Sequence, residues 1–277
     1  MSAAERKHEF VDVLRRQQIE EGLAADRRLD GRKANETREL SIEVGPVVKA
    51  NGSALVRLGN TAVMVGVKIL QGTPFPDTPD QGVLTVNADV LPISSPYEEP
   101  GPPDEDTIEL ARVVDRGIRE SHMVDMKELA VEPGKKVYAV FVDVAVLDVD
   151  GNLFDATSYA AVTALASARF KKVSVKDGEV VQMEEMVKLP VSTIPVSVTA
   201  GKVGEFLFLD PTGTEEAVME ARMTTTFDSE DNLCATQKGG EGFFTPEEVL
   251  RQMEVARAKA KEIRAKIKEA VKNAGKE

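Results

Sequence analysis

Tryptophan is absent from the 277 residues, cysteine occurs once and histidine twice. A lone Cys234 excludes an internal disulfide and fits a reducing cytoplasm, the compartment expected here. With no histidine partner near it in sequence, that thiol reads as packing rather than as a nucleophile. His8 and His122 show no metal-ligand spacing, and neither a metal nor a cofactor is expected. No run approaches the roughly 18 apolar residues that cross a bilayer. The opening MSAAERKHEFVDVLRRQQIEEG is charged throughout, unlike a secretory signal, and no membrane partner is expected. Cationic excess is missing too, since the formal net charge is -12. Phosphate groups are held by Lys and Arg. Any nucleic-acid contact must therefore be local, made by a few arginines on one face or on a surface shared with a more basic partner.

What is present is the composition of a folded protein, 42% hydrophobic and 30% charged, in a chain long enough for one large domain or two small ones sharing a core. Phe10, Val11, Leu14, Ile19 and Leu23 fall on one stripe of an N-terminal helix over residues 1–27. Alternation at Leu40, Ile42 and Val44 marks a strand. Asn51-Gly52 suggests a hairpin turn, and two strands follow, Ala54 to Leu58 and Thr61 to Leu70, parted by Gly59-Asn60. Residues 72–81 read as a loop, Val83 to Ile93 as a strand, and the acidic, proline-rich 94–107 as an exposed loop. A helix is expected from Thr107 to about Met123. A buried strand then spans Lys136 to Val149, and a helix of small apolar residues spans Asp155 to Ala168. Beyond Leu189 come strands with turns at Gly201 to Gly204 and Asp228 to Asn232. Thr245-Pro246-Glu247-Glu248 carries the capping-box chemistry that opens a long C-terminal helix. Strand runs joined by short turns, with few helices between them, indicate an α+β protein.

Three stretches, in this order, resemble the RNase PH superfamily: Gly59-Asn60-Thr61-Ala62-Val63, the helix Glu109 to Arg119 (ELARVVDRGIR), and the turn Asp148-Val149-Asp150-Gly151. The similarity runs from about Arg28 to Phe243, and its pattern is that of the non-catalytic RNase PH-like subunit of the archaeal exosome ring. The resemblance implies an RNase PH-type fold of two packed sheet-and-helix units, over 28–180 and 181–277, with N- and C-terminal helices. It also implies a six-membered ring, a trimer of heterodimers with a catalytic RNase PH-like subunit. RNA-binding cap subunits would sit on one face, and single-stranded RNA would be shortened from its 3′ end by phosphorolysis.

That chemistry needs a site that holds inorganic phosphate beside RNA. Active family members carry a hydroxyl and an arginine shortly after the Asp-Gly turn. Here the matching residues are Leu153 and Phe154, which offer neither donor nor charge and read as packing. Asp210 and Glu216 match the family's paired carboxylates; without a phosphate site they read as surface turn acids, although they retain the means to gather a metal ion. The acids Glu98, Glu99, Asp104, Glu105 and Asp106 stand where catalytic partners carry arginines. No catalytic residue is expected. Arg112, Arg116 and Arg119 fall at i, i+4 and i+7, on one helix face. The bland reading pairs Asp115 with Arg119 and Arg116 with Glu120; the resemblance implies RNA-backbone contact, and Arg112, Arg116 and Arg119 are the candidate RNA-binding residues. Two rivals stand beside this reading: an active phosphate-dependent 3′-5′ exoribonuclease using Asp210 and Glu216, and a scaffold that never touches RNA.

Overall fold

The computed structural model describes residues 3–95, 100–176 and 179–275. The chain opens with helix α1 (Ala3–Ala24), followed by strands β1 (Leu40–Val44), β2 (Gly52–Leu58), β3 (Thr61–Gly72) and β4 (Val83–Val90). Helix α2 (Glu105–Glu120), β5 (Ala130–Glu132), β6 (Lys136–Asp148) and α3 (Leu153–Ser167) complete the first half. A hairpin, β7 (Arg169–Lys176) and β8 (Glu179–Lys188), leads to β9 (Val196–Val203), β10 (Phe206–Leu209) and the short α4 (Gly213–Glu216). Strands β11 (Ala221–Phe227) and β12 (Leu233–Gly239) precede the long α5 (Pro246–Ala274).

The larger sheet runs β1-β2-β3-β6-β4, antiparallel except where β4 lies parallel to β6, and β5 pairs with the end of β6. The smaller sheet, β10-β9-β11-β12, is antiparallel throughout. The small apolar residues of α3 explain how the two sheets meet. From Phe154 to Leu165 every residue of α3 is buried, because the helix packs on β2 and β3 on one side and on β9 on the other. A helix that is apolar all round has no solvent face to offer and belongs between layers. Gly52 permits the closest approach, since a Cβ there would collide with the Ala164 carbonyl.

Three expectations from the sequence are corrected. Asn51-Gly52 is not a hairpin turn. The β1–β2 pairing ends at Val44 opposite Ala54, and the bend occupies residues 45–51. Asn51 instead spends its amide at 2.8 Å from the Ile69 N–H and 2.9 Å from the Arg169 carbonyl, stitching β2 to β3 and β7. Gly201 lies inside β9 rather than in a turn; it sits opposite Phe208, whose ring occupies the space a side chain would need. The strand expected to reach Ile93 stops at Val90, before Pro92, and leaves Ile93 exposed.

The stripe on α1 is only partly used. Ile19 and Leu23 are buried against Val203 and Phe208, forming a small cluster apart from the main core, whereas Leu14 is exposed. The side chains of Phe10 and Val11 lie outside those described. No helix among the described residues is long and apolar enough to cross a membrane.

Candidate nucleic-acid interface

Helix α2 begins two residues before the expected Thr107. Asp104 is its N-cap, accepting from the Thr107 N–H at 2.8 Å, and Glu105 and Asp106 occupy its first turn. Carboxylates at a helix N-terminus complement the helix dipole, which gives these acids a local role. Glu98 and Glu99 lie outside the described residues. Leu110, Val113, Val114 and Ile118 bury the inner face of α2 against β4, β12 and α3. The burial of that face turns Arg112, Arg116 and Arg119 outward, and all three are exposed.

Their partners differ. Arg119 pairs with Asp115 at 2.8 Å and donates to the Leu84 carbonyl at 3.1 Å. Arg116 donates to Gln237 Oε1 at 3.2 Å, across to β12, rather than to Glu120. Arg112 has no ion pair among the described residues. Gln237 in turn donates to Glu109 Oε1 at 2.9 Å, and Glu109 Oε2 accepts from Arg222 at 2.6 Å. This chain of contacts runs from the arginine face to the N-terminus of α3.

At that terminus a phosphate would need free N–H groups and a cation. Both are taken. The Asn152 N–H donates to the Glu216 carboxylate at 2.8 Å. The Asp155 N–H donates to the Asn152 side chain, the N-cap of α3. The Arg222 guanidinium lies 4.0 Å from the centre of the Phe154 ring, and Glu109 already neutralises it. Burial opposes charge on Glu109, but the hydrogen bond and charge of Arg222 together with the bond from Gln237 outweigh this and hold its pKa below the usual value. Burial pushes Glu216 upward, only partly offset by the Asn152 N–H. The depression here measures ≈ 220 Å³ and is lined by Leu153, Phe154, Arg222 and the carboxylates of Asp104, Asp106, Glu109 and Glu216. One arginine among four acids repels an anion. Phe154 is buried, and α3 starts at Leu153, two residues before the sequence pattern suggests, so both apolar residues pack at the helix entrance.

Asp210 is not a surface turn acid. It is fully buried, with φ 51°, and its carboxylate accepts from Arg38 Nη2 at 2.8 Å, the Arg38 N–H at 2.7 Å, Arg32 Nη1 at 3.0 Å and Asn152 Nδ2 at 2.7 Å. Burial alone would raise its pKa, but Arg38 overcomes this and holds it below the ordinary aspartate value. Arg38 also reaches the Asp150 carbonyl at 2.6 Å, so the network ties the β6–α3 turn to the loop after β10. Asp210 and Glu216 both accept from Asn152, at its Nδ2 and its backbone N–H, and no group of three potential metal-ligating side chains is present among the described residues. Arg38, Glu109, Asn152 and Arg222 form this region with them; Arg38 and Arg222 carry no local sequence signal, because the carboxylates they hold, Asp210 and Glu109, are 172 and 113 residues away.

Residues 36–171 match domain 1, and residues 193–259 domain 2, of the 3′ exoribonuclease family, RNase PH. The exosome complex component Rrp42 of Thermococcus gammatolerans is 47% identical over 268 residues, 96% of this chain and 98% of that protein. The Rrp42 component of Methanopyrus kandleri is 49% identical, over 93% of this chain and 98% of its own. Among solved structures, a chain of the Archaeoglobus fulgidus exosome with RNA bound to the active site superposes with a TM-score of 0.85 and 43% identity, covering 93% of this chain and 99% of that one. Rice Rrp46, at 20% identity and a TM-score of 0.68 over 88% of this chain and all of its own, shares the fold. With both family domains matched in order and Rrp42 relatives aligned nearly end to end, the chain belongs to the RNase PH 3′ exoribonuclease family.

Proposed function

We propose that this chain is a ring subunit of an archaeal-type exosome, paired with a catalytic RNase PH-like subunit in a trimer of heterodimers, and that it performs no phosphorolysis itself. It completes its partner's active site and contributes RNA-backbone contacts through Arg112 and Arg116, with Arg119 beside them. Cap subunits carrying RNA-binding domains dock on one face of the ring. The division into an N-terminal helix over 1–27 and RNase PH units over 28–180 and 181–277 belongs to the same proposal. The names of the relatives support the assembly. The absence of chemistry rests on one observation: at the N-terminus of α3 the Asn152 N–H is taken by Glu216, and the nearest cation, Arg222, is held by Glu109 and the Phe154 ring.

The exposure of the three arginines supports backbone contact, which carries little sequence preference. The enzyme reading has no phosphate site to serve Asp210, whose carboxylate is committed to Arg38 and Arg32. The test is release of nucleoside diphosphates from single-stranded RNA with phosphate and magnesium. The purified chain alone should release none above a protein-free blank, and adding the catalytic partner should give more activity than that partner alone. Release by the chain alone that rises with phosphate would establish the enzyme reading instead.

A further inference from the structure

The loop between β3 and β4 holds an aromatic ring in the open. Phe75 is 56% exposed and lies between Pro74 and Pro76. Proline fixes its own φ and confines the residue before it to extended backbone, so this short segment is stiff. The Phe75 carbonyl accepts from the Thr78 N–H at 3.2 Å, closing a turn that helps fix the loop. Phe75 lines two adjoining depressions. One, of ≈ 480 Å³, is walled on the other side by Arg112, Arg116 and Arg119. The second, of ≈ 560 Å³, continues past His122 and Gln81.

We propose that Phe75 is a stacking platform for a base of single-stranded RNA whose backbone is held by Arg112 and Arg116. This deepens the reading of the α2 arginines as RNA contacts and rests on it. Non-specific binding of a single strand needs two things near each other, cations that track the backbone and an aromatic face on which a base stacks. The groove supplies both. Of its three arginines Arg119 is neutralised by Asp115, and Glu120 adds a further negative charge, so Arg112 and Arg116 are left to meet phosphate. The ring is bordered by three arginines on one side and, on the other, by Asp77, Gln81 and His122 interleaved with Val83, Ile118, Val124 and Met126. A ring already held by two prolines loses little freedom when a base settles on it.

The experiment uses the assembled ring in phosphate-free buffer, with an oligoadenylate carrying 2-aminopurine at successive positions. Phe75→Leu keeps the apolar volume and removes the π face; Phe75→Tyr keeps the face. F75L should weaken binding by roughly five- to hundredfold and abolish stacking-induced quenching at one position of the strand. F75Y should preserve both. Wild-type affinity and quenching in F75L would overturn the proposal. So would failure of F75L to enter the ring on size exclusion, which would assign Phe75 to subunit packing. The arginine reading fails separately: unchanged binding of the Arg112→Glu/Arg116→Glu ring at low salt sinks it, whatever F75L does.

Discussion

Asp210 and Asp155 share one donor, the Nδ2 of Asn152, at 2.7 and 2.9 Å, yet their surroundings treat them oppositely. Asp210 faces two arginines and stays charged. Asp155 is equally buried but meets only neutral donors, the Thr199 N–H at 3.0 Å, the Thr199 hydroxyl at 2.8 Å and Asn152. Burial raises its pKa to about 7, those hydrogen bonds only partly offsetting it. The consequence for stability has a definite sign. The unfolded chain ionises Asp155 near pH 3.9 while the folded chain holds its proton, so stability falls as pH rises from about 4 to about 7 and then levels off. The shift corresponds to a penalty on the order of 4 kcal/mol above neutrality. When the Thr199 hydroxyl turns to donate to Thr224, a protonated Asp155 can donate to it through Oδ1 while Oδ2 keeps accepting from the Thr199 N–H and Asn152. Asparagine reproduces that pattern of one donor and one acceptor. Asp155→Asn should therefore be tolerated and should flatten the fall between pH 4 and 7 in urea midpoints; an unaltered slope would place the titration elsewhere. Asp210 acts in a different window. Its folded pKa lies below the unfolded value, so the stability it supplies is complete above about pH 4 and is lost only as pH falls further.

At the scale of elements, legibility followed the range of the interactions involved. The start of α5 was readable because its chemistry is local. Thr245 accepts from the Glu248 N–H at 3.2 Å, and Glu248 accepts from the Thr245 N–H at 2.7 Å. What four residues do not reveal is that Glu248 also holds Lys202 of β9 at 2.8 Å, which docks the helix on the smaller sheet. The pattern assigns no strands to 169–188, where β7 and β8 form a hairpin, although Asp177-Gly178 between runs of valine is a hairpin signal. Leu153 and Phe154 could be recognised as unable to bind phosphate from their side chains alone. That Glu216 and Arg222 close the same place required the fold. The α1 stripe shows the same division, since periodicity identifies the apolar face but not how far the body extends beneath it. Among its described side chains, Ile19 and Leu23 find partners and Leu14 does not. Because that cluster is separate from the main core, Ile19→Ala should act locally. The lost packing, about 2–4 kcal/mol, should appear as faster amide exchange confined to the last turns of α1. An equal loss across the strands of both sheets would show that α1 and the core unfold as one unit.

For the whole molecule, the difficulty is charge. A body of net -12 should repel RNA at long range, yet the proposed function needs contact. The fold answers by position. The acids that begin α2 and those around Phe154 occupy the N-terminal end of that helix, while the arginines project from its outer face one to four turns on. Attraction is then confined to a strip, and in the proposed assembly long-range capture of a strand falls to other subunits rather than to this one. Salt dependence measures such a strip. A single strand releases counterions in proportion to the phosphates neutralised, with a slope of roughly -0.7 per contact in log affinity against log salt. Two arginines in each engaged copy thus contribute about -1.4. Replacing Arg112 and Arg116 with glutamine, which removes charge without adding repulsion, should make the slope of oligonucleotide binding by the ring shallower by about that amount per engaged copy. Phe75→Leu should lower affinity at every salt concentration and leave the slope alone, because stacking displaces no counterions. If the glutamine ring keeps the wild-type slope, the backbone is neutralised entirely by other subunits, and the arginine face of α2 serves assembly rather than RNA.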